Sequence, residues 1–265
     1  MTNEKKTVAF IGTGNMGGAL ARAAAKSPLC GKLLLANRSP EKAKKLCDEL
    51  GASLADNRGA AAEADVLFLG VKPQGLEKMV EGIRDVLDAR PRCLIVSMAA
   101  GWSVAELEEL LGGRGVVRIL PNIPVAVGEG VTLLCASDAV TEEEKALVKG
   151  LLAPSGMVAE LHEDQLDAAS GVTGCGPAFA AMFIDALADG AVACGLPRRE
   201  AIAFAAQMLA GTARTLLSSG EHPDALRDRV CSPGGSTIQG VRKLEEGAFR
   251  AAVMNAVIAA YEKEF

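Results

Sequence analysis

At 265 residues the chain is long enough to bury one or two cores, and 49% hydrophobic residues with 29 glycines and only 3% aromatics describe a compact, Ala-rich α/β or α protein. A formal net charge of −5 without a long basic run argues against nucleic acid or an anionic membrane surface as a partner. The N-terminus runs directly into a strand pattern with no signal peptide and no apolar run of about 18 residues, so a soluble cytoplasmic protein is expected.

Residues 7–11 form a short apolar run, the pattern of a strand buried on both faces. A Gly-rich turn follows, then a helical stretch over 18–26. A second strand is expected at 32–36, and a helix at 40–50 with Ser39 in the N-cap position. Strands at 66–71, 93–97 and 116–120 alternate with helices at 74–87 and 103–111. This βαβα order predicts an open, mostly parallel, doubly wound sheet of the Rossmann type. Residues 131–135 and 157–161 read as later strands at the sheet edge, joined by a helix at 141–152. From about Glu163 the strand signals stop, and helices are expected at 178–194, 197–218, 224–230, 237–246 and 248–264. The predicted division is a dinucleotide-binding domain over 1–162 and an all-α dimerisation and substrate domain over 163–265. The long helices lack a clear polar face, with Phe179, Met182 and Phe183 on one and Phe204, Met208 and Leu209 on the next. Such helices belong in a core or against a partner chain, so a homodimer through this half is expected.

Seven scattered cysteines (Cys30, Cys47, Cys93, Cys135, Cys175, Cys194 and Cys231) with no CxxC pair read as reduced thiols. Two histidines, His162 and His222, without an HExxH pattern, predict no metal site.

Two Gly-rich turns carry the chemistry. Gly12-Thr13-Gly14-Asn15-Met16-Gly17 follows a strand and opens a helix, the context that turns a weak pattern into a dinucleotide fingerprint. Its glycines serve the tight turn, the approach of a pyrophosphate and close helix–strand packing. At the end of the second strand, where NAD readers place a carboxylate, stand Ala36-Asn37-Arg38-Ser39. Arg38, helped by Asn37 and Ser39, suits a 2′-phosphate, so NADPH is the expected cofactor with NADH as the second choice. Val71-Lys72-Pro73 and Met98-Ala99-Ala100 lie past two further strand ends and point at the same crevice. Asn122, in the bend Pro121-Asn122-Ile123-Pro124, either bonds across the cleft or holds its own turn.

The second turn is Val230-Cys231-Ser232-Pro233-Gly234-Gly235-Ser236-Thr237. Pro233 holds Ser232 extended, the two glycines permit unusual backbone angles, and Ser236 and Thr237 open a helix. Bare N–H groups at a helix start, ringed by hydroxyls, form a receptor for a small anion.

These motifs resemble those of the pyrroline-5-carboxylate reductase family over nearly the whole chain. The likeness rests on the first turn, Val71-Lys72-Pro73-Gln74, Ala99-Ala100-Gly101, Arg118-Ile119-Leu120-Pro121-Asn122-Ile123-Pro124, Gly174-Cys175-Gly176-Pro177, Asp185-Ala186-Leu187-Ala188-Asp189-Gly190, Gly195-Leu196-Pro197 and, most specifically, the second turn. The resemblance implies NADPH- or NADH-dependent reduction of 1-pyrroline-5-carboxylate to L-proline, the last step of proline biosynthesis. It implies that Ser232, Gly234, Gly235, Ser236 and Thr237 hold the substrate carboxylate and ring nitrogen, with the Thr237 hydroxyl on that nitrogen as the catalytic contact. Asn57 matches an asparagine at the adenosine end of the cofactor. The helical half resembles a dimerisation domain whose dimers assemble further, with active sites drawing on both subunits. Cys175 and Cys231 depart from the small hydroxyl residues expected there and read as inert thiols or oxidation-sensitive ones.

Three other readings stand beside this one. A 3-hydroxyacid dehydrogenase wants a lysine in its helical half, and Lys243, mid-helix beside Glu245 and Glu246, is the only one between Lys149 and Lys263. A reductase of a six-membered cyclic imine acid fits the same turn. A non-enzymatic dinucleotide sensor should have lost one of the two turns, and both are intact.

Overall fold

The computed structural model describes residues 4–264, and the chain divides into two compact units, one ending at Gly174 and the other beginning at Cys175. The first unit runs β1 (Lys6–Ile11), α1 (Asn15–Lys26), β2 (Cys30–Ala36), α2 (Pro40–Leu50), β3 (Ser53–Leu54), α3 (Asn57–Glu63) and β4 (Val66–Leu69). It continues with α4 (Leu76–Glu81), α5 (Arg84–Asp88), β5 (Leu94–Ser97), α6 (Val104–Leu110) and β6 (Val116–Pro121). Last come β7 (Gly130–Ala136), α7 (Glu142–Leu152), β8 (Gly156–Glu160) and α8 (Glu163–Thr173).

The eight strands lie in the order β3-β2-β1-β4-β5-β6-β7-β8. The first six are parallel, β7 runs antiparallel to β6, and β8 is parallel to β7, which makes the far edge mixed. β4 and the inner part of β1 are buried on both faces because helices cover both sides. One face packs Leu67, Leu69 and Ile95 against Leu76, Ile83 and Leu107, and the other packs Phe10 and Phe68 with Leu20, Leu46 and Leu151. The Phe10 and Phe68 rings stack with centroids 4.4 Å apart. Full burial of each such ring or leucine contributes about 2–3 kcal/mol. Capping boxes, Ser103 with Glu106 and Thr141 with Glu144, set the starts of α6 and α7.

The structure differs from the sequence reading in three places. The short β3 and α3, between the second and third expected strands, are additional. The single helix expected at 74–87 is a 3₁₀ turn (Pro73–Gly75), α4 and α5, interrupted at Gly82 and Ile83. Just past the expected division at 162/163, α8 packs on the sheet: Leu166 is fully buried, and Arg118 of β6 pairs with Glu163 at 2.9 Å. The first compact unit therefore runs on to Gly174.

The second unit holds α9 (Gly176–Ala193), α10 (Arg198–Ser219), α11 (Pro223–Val230), α12 (Ser236–Glu246) and α13 (Phe249–Glu264). α9 and α10 form an antiparallel pair tied by Arg198 of α10, whose guanidinium reaches Asp189 at 2.5 Å and Asp185 at 3.7 Å. Phe183 of α9 meets Phe249 of α13 with ring centroids 5.7 Å apart. Among the described residues of this unit only Ala188, Ala201 and Ala205 are buried apolar residues. Met182, Phe204, Met208, Met254 and Ile258 stand exposed. The stretch Glu163–Ala193 is apolar and long enough, by length and composition, to cross a membrane, whereas the sequence reading counted no such run. The difference arises because its hydropathy is spread over alanines and glycines and interrupted by Asp185 and Asp189 rather than gathered in an unbroken run.

Candidate active site

Register places the first turn. Ile11 pairs with Ala36 on one side and Leu69 on the other, and Leu69 pairs with Ser97. The carboxyl ends of β2, β1, β4 and β5 thus lie in one row, and the segments after them, 37–39, 12–17, 70–73 and 98–101, leave the sheet along one edge. The strand order reverses between β1 and β4, the switch point where ligands of such sheets bind.

Gly12 has φ +97°, a region that L side chains avoid. A Cβ there would come within 2.4 Å of the Gly70 carbonyl oxygen, and one on Gly17 within 2.1 Å of the Gly12 carbonyl oxygen. A Cβ on Gly14 would meet nothing within 4 Å. Gly14 is the N-cap of α1, and no side chain caps that helix, so the leading N–H groups, from Asn15 and Met16 onward, are offered to a ligand. The Thr13 hydroxyl is buried without a hydrogen-bond partner. An orphaned hydroxyl, open space over Gly14 and an uncapped helix start together fit a pyrophosphate.

Beside this turn an open cavity of about 590 Å³ is lined by Asn37, Pro40, Leu54, Ala55, Asp56, Asn57 and Arg58. The Asn37 amide is already engaged: its Oδ1 accepts from the Thr13 N–H (3.3 Å) and its Nδ2 donates to the Ser39 carbonyl (3.2 Å). Asn37 therefore ties the β2 end to the nucleotide turn. Ser39 holds the N-cap position of α2, yet its hydroxyl makes no capping bond. Arg38 is exposed, without an ion pair among the described residues. Arg58 is held away by a bidentate pair with Asp85, at 2.7 and 2.6 Å, and Asp56 caps α3 through the Gly59 N–H at 2.6 Å. Both line the cavity and were passed over in the sequence; an Asp followed by a helix is the N-cap signal that marks Asp56.

Lys72 is exposed ahead of the 3₁₀ turn that starts at Pro73, and Val71 is half-buried at its base. Met98 lies over Gly70, its sulfur 3.4 Å from where a Cβ on that glycine would stand. Ala100 is exposed, whereas Ala99 is fully buried and its methyl packs into the core, leaving only its backbone near the crevice. Asn122 holds structure: its Oδ1 accepts from the Val131 N–H at 2.8 Å, and its Nδ2 donates to the Thr173 carbonyl at 2.9 Å.

The second turn joins α11 to α12. The Gly235 N–H donates to the Ser232 carbonyl at 3.0 Å, and Gly234 sits at φ +72°. A Cβ on Gly235 would come within 2.3 Å of the Ser232 Oγ, so only glycine leaves that hydroxyl its place. Gly235 is the N-cap of α12, again without a side-chain cap, and Ser236 and Thr237 follow exposed at the helix start. Cys175 and Cys231 are free thiols, half-buried, at the starts of α9 and of this turn.

Both halves of the chain have counterparts among known proteins. Residues 163–264 match the family model for pyrroline-5-carboxylate reductase dimerisation, and residues 7–101 match that for NADP oxidoreductase, coenzyme F420-dependent. The chain is 40% identical to a pyrroline-5-carboxylate reductase of Escherichia coli over 98% of its own length and 97% of the relative's. A solved pyrroline-5-carboxylate reductase from Coxiella burnetii superposes with a TM-score of 0.92 at 30% identity, covering 98% of both chains. A Plasmodium falciparum pyrroline carboxylate reductase, solved with NADP bound, superposes with a TM-score of 0.85 at 30% identity over 98% of this chain and 97% of that one. With 40% identity along nearly its full length, the chain belongs to the pyrroline-5-carboxylate reductase family of NAD(P)H-dependent oxidoreductases.

Proposed function

We propose that the protein reduces 1-pyrroline-5-carboxylate to L-proline, the ring carboxylate and nitrogen being held by the 232–237 turn. The observation that carries this reading is the uncapped start of α12, with Ser236 and Thr237 exposed around free N–H groups. The reaction adds a hydride to the imine carbon and leaves a proton on nitrogen; the bound nicotinamide supplies the hydride. The imine is basic enough to arrive protonated near neutrality, so the turn needs no acid and contains none. Its residues orient: the N–H groups of Ser236 and Thr237 face the carboxylate, the Ser232 hydroxyl closes one side, and the Thr237 hydroxyl accepts from the ring N–H.

The cofactor lies along the edge built by residues 12–17, with Asn37, Arg38, Ser39 and Asn57 at the adenosine end and Val71, Lys72, Pro73, Met98, Ala99 and Ala100 beside the nicotinamide. NADPH is preferred over NADH: no carboxylate follows β2, and the unpaired Arg38 guanidinium and the free Ser39 hydroxyl suit a 2′-phosphate. The helical region from residue 163 onward forms a homodimer, with dimers assembling further, which gives the exposed faces of α9, α10 and α13 a partner. Seven unpaired cysteines suit the cytoplasm.

The test is NADPH oxidation with 1-pyrroline-5-carboxylate, with the six-membered imine acid and NADH run alongside. Turnover of the five-membered substrate is expected; none with either ring sinks the reading. Thr237→Ala is expected to lower turnover roughly tenfold to hundredfold while the KM for NADPH holds. Unchanged turnover removes Thr237 from the chemistry.

A further inference from the structure

We propose that Arg250 is a positioning residue that sets the geometry of the 232–237 turn by clamping together the far ends of the two helices that carry it, an inference that rests on reading that turn as the substrate seat. α11 enters the turn and α12 leaves it. The ends away from the turn are the first turn of α11, with Asp224, and the last turn of α12, with Glu245. Arg250, in the first turn of α13, donates from Nε to Glu245 Oε1 at 2.8 Å and from Nη2 to Asp224 Oδ1 at 3.0 Å. One planar guanidinium therefore fixes the separation of both ends. With α11 and α12 about 12 and 16 Å long, that separation sets the angle at which they meet in the turn. The flexible pair Gly234 and Gly235 lies at that apex, so the turn cannot fix the angle by itself.

Two further observations show that α13 starts in a determined place. Ala248, just before it, is the only non-glycine residue with positive φ among the described residues, at +53°. A backbone conformation unfavourable for alanine persists where its surroundings over-determine it. Phe249, next to Arg250, packs against Phe183 of α9. The clamp is thus anchored to the long helices on one side and to the turn on the other. Arg227 adds to it, donating to Asp224 Oδ1 at 2.9 Å and to Asp228 Oδ1 at 2.8 Å. These side chains are about half exposed, which makes their pairs weak as sources of stability. Their geometry, not their energy, explains three helices converging on one guanidinium.

Arg250→Lys keeps the charge but loses the fork that spans two carboxylates, and Asp224→Ala removes the acceptor of one arm. The measurements are amide hydrogen exchange and steady-state kinetics on the intact enzyme. In both variants, exchange within α11 and α12 is expected to rise roughly twofold to fivefold, as expected for losing one such contact, while α9 and α10 keep their protection. The KM for 1-pyrroline-5-carboxylate should rise by a similar factor, with the KM for NADPH held within about twofold. Unchanged exchange in α11 and α12, or an equal rise across all five helices, overturns the clamp. Should Arg250→Lys fail to fold, Asp224→Ala decides alone. Wild-type enzyme that turns over no cyclic imine overturns the substrate reading instead, and the exchange data still decide the clamp.

Discussion

In the sheet unit Phe10, Phe68, Leu35 and Leu69 are fully buried by neighbours of their own chain. In the helical unit the buried apolar residues among those described are three alanines, while Met182, Phe204 and Met254 are more than half exposed. The first unit closes its own core, and the second presents half of one. The homodimer proposed above gives these apolar helix faces their burial. A dinucleotide site can therefore be complete in one chain, while the 232–237 turn, proposed above as the substrate seat, lies in the unit that a single chain leaves open.

The largest test of this contrast is a charge on the open face. Met182→Glu is expected to convert the oligomer to monomer in size-exclusion chromatography and to lower turnover roughly hundredfold or more, while NADPH binding persists. A monomer with full turnover breaks the comparison. Next comes the closed unit. Gly12→Ala forces a methyl to within 2.4 Å of the Gly70 carbonyl at a positive φ, and is expected to destabilise the sheet by about 3 kcal/mol and abolish NADPH binding. Thermal denaturation and cofactor titration read both effects, and normal values in the two would remove the close approach from the account.

A smaller effect comes from acid, and it should touch both units. Hydrogen bonds from Lys145 and Lys149 hold the Glu160 carboxyl below its usual range in the sheet unit. In the helical unit Arg250, with Arg227 and His222 adding to it, does the same for Asp224. Folded-state values below the unfolded ones mean stability that is present above the unfolded value, about pH 4, and lost as pH falls through the folded one. Denaturation midpoints should be level from pH 7 to about 5 and fall below about 4; a rise on acidification contradicts the sign. The smallest effect separates two thiols. Burial pushes Cys93 up to about 11, whereas Cys194 is exposed at the end of α9. Iodoacetamide at pH 8 should label Cys194 and spare Cys93 in the native protein, and equal labelling would show that the sheet unit opens.

Much of this was legible in the chain, for reasons that differ by region. The inner strands announce themselves as unbroken apolar runs because both of their faces are covered, and the two Gly-rich turns because few other residues tolerate their backbones. β3, two exposed residues long, has no pattern to read. α8 buries only Leu166 and Gly171, too little for a helical period, so its membership of the sheet unit depends on a long-range pair, Arg118 with Glu163. Gly82 sits where α4 ends, which the apolar spacing of 74–87 conceals. The side-chain work of Asn37 and Asn122 is tertiary: each amide bridges segments that sequence distance keeps apart. The place of Ala99 was half legible, since a small residue at a strand end reads equally well as cofactor floor or as core.

The three glycines of the nucleotide turn also differ in what could replace them. Backbone atoms of the protein itself forbid a side chain at Gly12 and Gly17, whereas around Gly14 the polypeptide leaves the space empty. A mutational library selected only for folding should therefore accept alanine at position 14, and one selected for catalysis should reject it. The gap between the two selections would report, at a single residue, how closely the cofactor presses on its enzyme.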